Sequence, residues 1–227
     1  MQCLYCKKVK KYIIIVAGGS GSRMGSATPK QFLELQGLPI LMHTLNNFHQ
    51  AVTEGELILA LPEKEQHSWQ SLCEKHQFDV PHQVVNGGKS RFHSVQNALQ
   101  KVKQKSIVAI HDGVRPLVSE NVVTECLKAA KRHGAAIPTL PMQDSIRKIS
   151  DNGSEIADRS QYVLVQTPQC FLSEIILKAY EQEFQNSFTD DASVVEQMGF
   201  SIHLVEGDKK NIKITTPADL KLAEALS

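Results

Sequence analysis

The apolar run Ile13-Ile14-Ile15-Val16, followed at once by Ala17-Gly18-Gly19-Ser20-Gly21-Ser22-Arg23, constrains this chain more than any other feature. A continuous apolar run of this kind suits a strand buried on both faces. Glycines at its carboxyl end let successive backbone N–H groups turn towards one point and cradle an anion. Two better-known signatures come close and fail. A dinucleotide fingerprint needs glycine where Met24 stands, and a Walker A loop needs Gly-Lys-Ser/Thr, whereas Lys30 lies between Pro29 and Gln31. What remains is G-x-G-S-R-x5-P-K, which sets Arg23 and Lys30 after the cradle. Attack on the α-phosphorus of a nucleoside triphosphate moves charge onto the non-bridging and leaving oxygens, and two fixed cations lower that barrier. The plainer alternative is a glycine turn followed by two solvated charges. It does not account for both cations at this spacing.

The rest of the chain alternates strand-like and helix-like segments. Leu41, Leu45 and Phe48 form a helical stripe, Leu57–Leu61 a strand, and Trp69, Leu72 and Cys73 a second helix. Val84-Val85 ends a strand before Asn86-Gly87-Gly88, and helical spacing returns at Phe92, Val95, Leu99 and Val102. Ile107–Ile110 reads as a strand, Ser119 as the N-cap of a helix stopped by Gly134, and Thr216-Pro217-Ala218-Asp219 as a helix start. Such alternation implies an α/β fold, a mostly parallel sheet with helices on both faces. Its ligands are expected at the carboxyl ends of the strands. One stretch breaks the rhythm. Ser145–Ile149 and Ser154–Ala157 flank the turn signal Ser150-Asp151-Asn152-Gly153 and carry few large apolar residues. They form either a plain surface hairpin or a protruding β-arm that is buried on a partner.

Four further motifs offer candidate residues, the first two of them where strands end. In Asn86-Gly87-Gly88-Lys89-Ser90-Arg91-Phe92-His93-Ser94, glycines and hydroxyls suit recognition of a base, or Ser90 simply caps a helix. In His111-Asp112-Gly113-Val114-Arg115-Pro116, Asp112 can face ribose hydroxyls or a metal and Arg115 a phosphate, or the two pair to shape the turn; His111 reads as structural. Thr189-Asp190-Asp191 offers carboxylates for a metal or for capping a helix. Lys213, alternating with Ile212 and Ile214, can point off the sheet into a cleft.

Composition excludes more than it assigns. The 227 residues fit one domain, and a formal net charge of +1 does not suit a nucleic-acid binder. The apolar stretch Tyr12–Ala17 is too short for a signal sequence or a membrane span. Five cysteines are an odd number without other disulfide signs, which points to the cytoplasm; Cys3-x-x-Cys6 has no second pair and reads as an inert terminus.

Taken in order, the blocks Gly18–Lys30 with Gln31-Phe32-Leu33, Gly87-Gly88 with Ser94, His111-Asp112-x-x-Arg115-Pro116, Gln166-Thr167-Pro168-Gln169, Thr189-Asp190-Asp191-Ala192-Ser193 and Asn211-Ile212-Lys213 resemble the 2-C-methyl-D-erythritol 4-phosphate cytidylyltransferase family of isoprenoid precursor biosynthesis. The resemblance runs from Tyr12 onward. It implies a Rossmann-like nucleotidyltransferase fold in a single domain spanning residues 1–227, and a homodimer joined by an arm at about residues 141–160. By resemblance, Arg23 and Lys30 stabilise the transition state. Ala17, Gly18, Gly19, Gly88, Ser94 and Asp112 hold CTP, and Arg115, Thr167, Thr189 and Lys213 meet the acceptor, Lys213 also acting in catalysis. Arg159 reaches across from the partner subunit to the substrate phosphate, and Mg2+ is bound mainly through CTP phosphates rather than by protein ligands. Val16 stands where the family often has proline or alanine, and Gly113-Val114 replaces a common pair of alanines. Ribitol-5-phosphate cytidylyltransferases share several of these blocks and form the alternative; Thr189–Ser193 and Asp158-Arg159-Ser160 favour the methylerythritol family. A binding module without catalysis has no need of Arg23, Lys30, Arg159 and Lys213 together.

Overall fold

The computed structural model describes residues 9–18 and 28–227, so the expectations for Cys3, Cys6, Gly19 and Arg23 fall outside it. The strands are β1 (Lys10–Val16), β2 (Glu34–Leu35), β3 (Leu38–Pro39), β4 (Gly55–Leu61), β5 (Gln83–Asn86), β6 (Ser106–Asp112), β7 (Ala135–Pro141), β8 (Ile146–Ser150), β9 (Gly153–Ala157), β10 (Val163–Val165), β11 (Gln169–Leu172) and β12 (His203–Glu206). Between them lie helices α1 (Ile40–Ala51), α2 (Glu63–Lys75), α3 (Arg91–Leu99), α4 (Glu120–His133), α5 (Ser173–Ala179), α6 (Asp191–Glu196) and α7 (Pro217–Leu226). The main sheet runs β10-β7-β11-β6-β1-β4-β5, with β12 also on β7. The pairs β1–β4, β1–β6, β4–β5 and β7–β12 are parallel, while β10 and β11 run antiparallel to their neighbours.

The apolar run of β1 explains why the sheet is covered twice. Side chains alternate across a strand. Ile13 and Ile15 join Leu41, Leu45 and Phe48 of α1, Trp69 of α2 and Cys126 of α4 on one face. Tyr12 and Ile14 join Phe92 and Val95 of α3, Ile176 of α5 and Val195 of α6 on the other. Ile13, Ile14 and Ile15 are all 0 % exposed, and each contributes about 1.5–3 kcal/mol by leaving water. A third cluster of Leu35, Ile40, Val114, Ile214 and Ala223 seats α7 beneath the small β2–β3 ribbon. The helix signals fall where the sequence puts them. Ser119 caps α4, Gly134 closes it at φ +92°, and Thr216 with Asp219 forms a capping box on α7.

Register then brings the strand ends together. Val16 lies opposite Asp112 on one side and Ala60 on the other, and Leu61 lies opposite Asn86. Four strands thus end at one level, tied by Gly113 N–H to Val16 O, Ala17 N–H to Ala60 O, and Gly87 N–H to Leu61 O.

The irregular stretch is a hairpin, β8 paired with β9 and joined through Asp151-Asn152. Cross-strand partners share a face, so Arg147, Ile149, Ser154 and Ile156 line one side of it. Ile149 is 86 % and Ile156 83 % exposed. Among the described residues no helix is long and apolar enough to cross a membrane.

Candidate active site

Two adjoining cavities open at the carboxyl ends of the strands. The first, roughly 160 Å3, is lined by Ala17, Gly18, Lys30, Gln31, Ser94 and Val114 among others. The second, roughly 290 Å3, takes in Arg115, Gln166, Thr167, Thr189 and Asp190. Arg91, Asp112 and Lys213 line both. Of the residues expected from sequence, Ala17, Gly18, Lys30, Ser94, Asp112, Arg115, Thr167, Thr189 and Lys213 therefore gather at one place. Arg159 lines neither cavity. It sits in the turn Arg159–Gln161 after the arm, and its guanidinium donates to the Gln143 carbonyl.

Asp112 is the electrostatic centre. Lys213 Nζ stands 2.9 Å from its Oδ2, Arg115 Nε 3.3 Å from Oδ2, and Arg91 Nε 3.5 Å from Oδ1. Burial works to raise its pKa, but the charges of Arg91, Lys213 and Arg115 outweigh burial and hold the carboxyl well below its ordinary range. Asp112 stays ionised at any working pH and is no proton donor. The internal Asp–Arg pairing and the cleft position, read as alternatives from sequence, are both present.

Lys213 departs from the expected geometry. The segment 211–215 belongs to no strand, so the lysine does not project from a sheet. Asn211, 0 % exposed, donates from Nδ2 to Thr167 O, while Asn211 O accepts from Arg115 Nη1 and Gln166 Nε2. This lattice fixes the segment and leaves Lys213 over Asp112. Thr167 is equally committed. Its hydroxyl accepts from Asp112 N–H and bonds His111 Nδ1.

His111 is structural, as its setting dictates. Nε2 lies 3.1 Å from the Arg115 carbonyl, which can only accept, so Nε2 carries the proton and Nδ1 accepts from Thr167. Burial pushes its pKa down to about 3. The unfolded chain takes up a proton near pH 6.5 and the folded chain does not, so stability falls as pH falls between those values. The expected slope from His111 is about 1.4 kcal/mol per pH unit. Denaturant melts from pH 6.5 to 5 should show it, and His111→Asn should flatten it; an unchanged slope in that variant removes His111 as the cause.

The carboxylates at α6 divide their work. Asp190 is the N-cap, accepting from Ser193 N–H at 2.9 Å and from Gln169 Nε2 at 2.7 Å. Asp191, 0 % exposed, receives both Arg91 Nη1 (2.8 Å) and Nη2 (2.6 Å), and Tyr180 Oη at 2.6 Å. Capping thus describes Asp190, and an ion pair Asp191. Arg91 is the site residue that sequence reasoning passed over, since nothing local distinguishes it from Lys89. Near it, Gly88 N–H donates to Ser94 Oγ at 3.0 Å, and a Cβ on Gly88 would stand 2.3 Å from His93 Cβ, so only glycine fits. Among the described residues Lys30, Arg91, Arg115 and Lys213 line the two cavities with Asp112 and Asp190, and Asp191 is paired with Arg91 just behind them, which leaves one positive charge in excess, suited to phosphates.

A cationic wall between two cavities, with Ala17 and Gly18 at the mouth of the first, suits transfer between two phosphorylated molecules. Comparison with known proteins decides which. The family model described as IspD: 2-C-methyl-D-erythritol 4-phosphate cytidylyltransferase matches residues 11–227. The chain belongs to this family. It is thus an enzyme, a nucleotidyltransferase. It is 51 % identical over 218 residues to the 2-C-methyl-D-erythritol 4-phosphate cytidylyltransferase of Bacteroides thetaiotaomicron, covering 96 % of this chain and 100 % of that one. It is 50 % identical over 220 residues to that of Porphyromonas gingivalis, covering 96 % and 98 %. Among solved structures, 4-diphosphocytidyl-2C-methyl-D-erythritol synthase from Anaerococcus prevotii superposes with a TM-score of 0.81 at 29 % identity, covering 96 % and 95 % of the two chains. The Thermus thermophilus cytidylyltransferase gives 0.75 at 31 %, covering 96 % and 98 %.

Proposed function

We propose that this chain transfers a cytidylyl group from CTP to 2-C-methyl-D-erythritol 4-phosphate, releasing pyrophosphate, as a step of isoprenoid precursor biosynthesis. The observation that carries the reading is the wall of Arg91, Asp112 and Lys213 shared by two cavities, one with Ala17, Gly18 and Lys30, the other with Arg115 and Thr189. CTP occupies the first, held by Ala17, Gly18, Gly19, Gly88 and Ser94, with Asp112 beside its ribose. The acceptor phosphate occupies the second, against Arg115, Thr189 and Lys213, beside Thr167.

An oxygen of the acceptor phosphate attacks the α-phosphorus in line. The new O–P bond forms as the bond from the α-phosphorus to its leaving oxygen breaks, and the electron pair departs on pyrophosphate. The attacking oxygen is already ionised at neutral pH, so no general base is needed, consistent with an Asp112 that never takes a proton and a neutral His111. Lys30 and Arg23 meet the charge that develops on the triphosphate. Among the described residues Asp112 is the one carboxylate lining the first cavity, and it already faces three cations. Among the described residues no three His, Cys, Asp or Glu cluster to hold a metal. Mg2+, bound mainly through CTP phosphates, would offset their charge there. Pyrophosphate release at saturating acceptor, compared across CTP, UTP, ATP and GTP, tests the nucleotide assignment. CTP is expected to lead by at least tenfold, and preference for another base contradicts it.

The arm serves a homodimer in the cytoplasm. A two-stranded ribbon is marginal alone, and its exposed Ile149 and Ile156 continue into Tyr162–Val165, each 41–50 % exposed. The neighbouring Arg159 completes the partner's site. Arg159→Ala and Lys30→Ala homodimers are each inactive on this reading, but a mixed dimer has one intact composite site. Equal mixing with verified subunit exchange should restore about a quarter of wild-type activity, since half the dimers are mixed and each has one good site of two. No recovery places Arg159 in its own subunit's site.

A further inference from the structure

Gln31 lines the first cavity beside Lys30, yet it is 0 % exposed. Its side-chain amide donates to two acceptors, the Ala17 carbonyl at 3.0 Å and the Glu65 carboxylate in the first turn of α2. These acceptors fix the orientation of the amide, because turning it over would set oxygen against oxygen on both sides. The remaining atom, Oε1, is buried with no hydrogen-bond partner among the described residues. An unmatched buried acceptor is costly, and it sits on the same side chain that supplies the donors to the Ala17 carbonyl and Glu65.

We propose that Gln31 is a positioning residue for the transfer reaction, clamping the Ala17 carbonyl so that the start of the glycine cradle and Lys30 keep a fixed relation to the triphosphate. Residue 17 is pinned at both ends, its N–H to Ala60 O of β4 at 3.0 Å and its carbonyl to Gln31. The peptide that follows is planar, so holding the Ala17 carbonyl also fixes the direction of the Gly18 N–H, the first donor of the cradle. Gln31 occupies the middle of the short turn Lys30–Phe32, so the same side chain seats the backbone that bears the Lys30 ammonium. Glu65 holds the amide from the opposite side and ties this arrangement to α2.

The inference rests on the reading of Ala17, Gly18 and Lys30 as the grip on CTP, and its test separates the two. Gln31→Met keeps the length and removes the donor. Gln31→Glu sets a carboxylate against both Ala17 O and Glu65. Both should lower kcat/KM for CTP about 10- to 100-fold, the scale of a misplaced reacting group, with KM for the acceptor changed less than about threefold. Gln31→Glu should also lower Tm. Adding Glu65→Gln to Gln31→Glu lets the new amide donate to the new carboxylate, so Tm should recover. The Ala17 carbonyl still lacks a donor, so kcat/KM for CTP should stay low. Recovery of that constant together with Tm, or a loss that falls on acceptor KM instead, overturns the clamp. If Lys30→Ala abolishes turnover while Gln31→Met keeps wild-type kcat/KM for CTP, only the clamp fails. If Lys30→Ala turns over normally, the underlying reading fails as well.

Discussion

Replacing Lys30 with alanine is expected to lower kcat by about 10²–10³, the scale of removing one group aimed at developing charge, while KM for CTP moves only a few-fold. The asymmetry follows from where charge moves. On the proposed reading the ground-state triphosphate is held by backbone N–H groups after β1, whereas the extra charge on the leaving oxygens appears only as the bond breaks. Lys30 lines the first cavity in a turn whose backbone is held by Phe32 N–H to Pro29 O and Leu33 N–H to Lys30 O, so its place is set before substrate arrives. Lys30→Arg keeps the charge but changes its shape and hydration, and should recover only part of the loss. Steady-state kinetics decide the matter. A raised KM at normal kcat would reassign Lys30 to simple binding, and wild-type behaviour would remove it from the site.

The second large effect is on stability. Arg91→Ala strands Asp191, which is 0 % exposed and among the described residues then keeps only the Tyr180 hydroxyl. Breaking a buried pair in this way costs about 3–5 kcal/mol. In a chain of this size that lowers Tm by roughly 10 °C. Asp112 also loses one of its three cations, so turnover should fall in protein that remains folded. Arg91→Gln with Asp191→Asn removes both charges and keeps an amide pair in the same space. It should regain most of the Tm and little of the activity, because Asp112 and Lys213 still lack the guanidinium beside them. An Arg91→Ala protein that melts like wild type would show that Asp191 is not stranded.

The residues that sequence made legible are those whose signal is local. The buried strand and its glycines, the caps at Ser119 and Thr216, and the hairpin turn at Asp151-Asn152 each declare themselves within a few neighbours. The strand-end segments bearing Asp112 and Gly88 do lie at one edge, because parallel sheets put their loops there, although β6 runs through Asp112 rather than stopping at Ile110. What escaped is long-range. Arg91 and Asp191 lie 100 positions apart, and no periodicity links them. Gln31 reads as part of a motif, but its burial depends on Glu65 and Ala17 meeting across it. Lys213 was expected on a strand because Ile212 and Ile214 alternate with it; the hydrogen bonds of Asn211 hold that segment outside the sheet instead. The antiparallel run of β10 and β11, broken at Gln166–Pro168, also had no local signature that separated it from a parallel strand.

The acceptor is the centre of the account, and one measurement addresses it directly. Pyrophosphate release from CTP should be followed with 2-C-methyl-D-erythritol 4-phosphate and with ribitol 5-phosphate under identical conditions, and the nucleotide product identified by mass. Release with the methylerythritol phosphate, at a kcat/KM at least about a hundredfold above that with ribitol phosphate, is the expected result, since a site built around one polyol's hydroxyls leaves buried groups unpaired with another. Release with ribitol phosphate alone, or with neither acceptor, would contradict it.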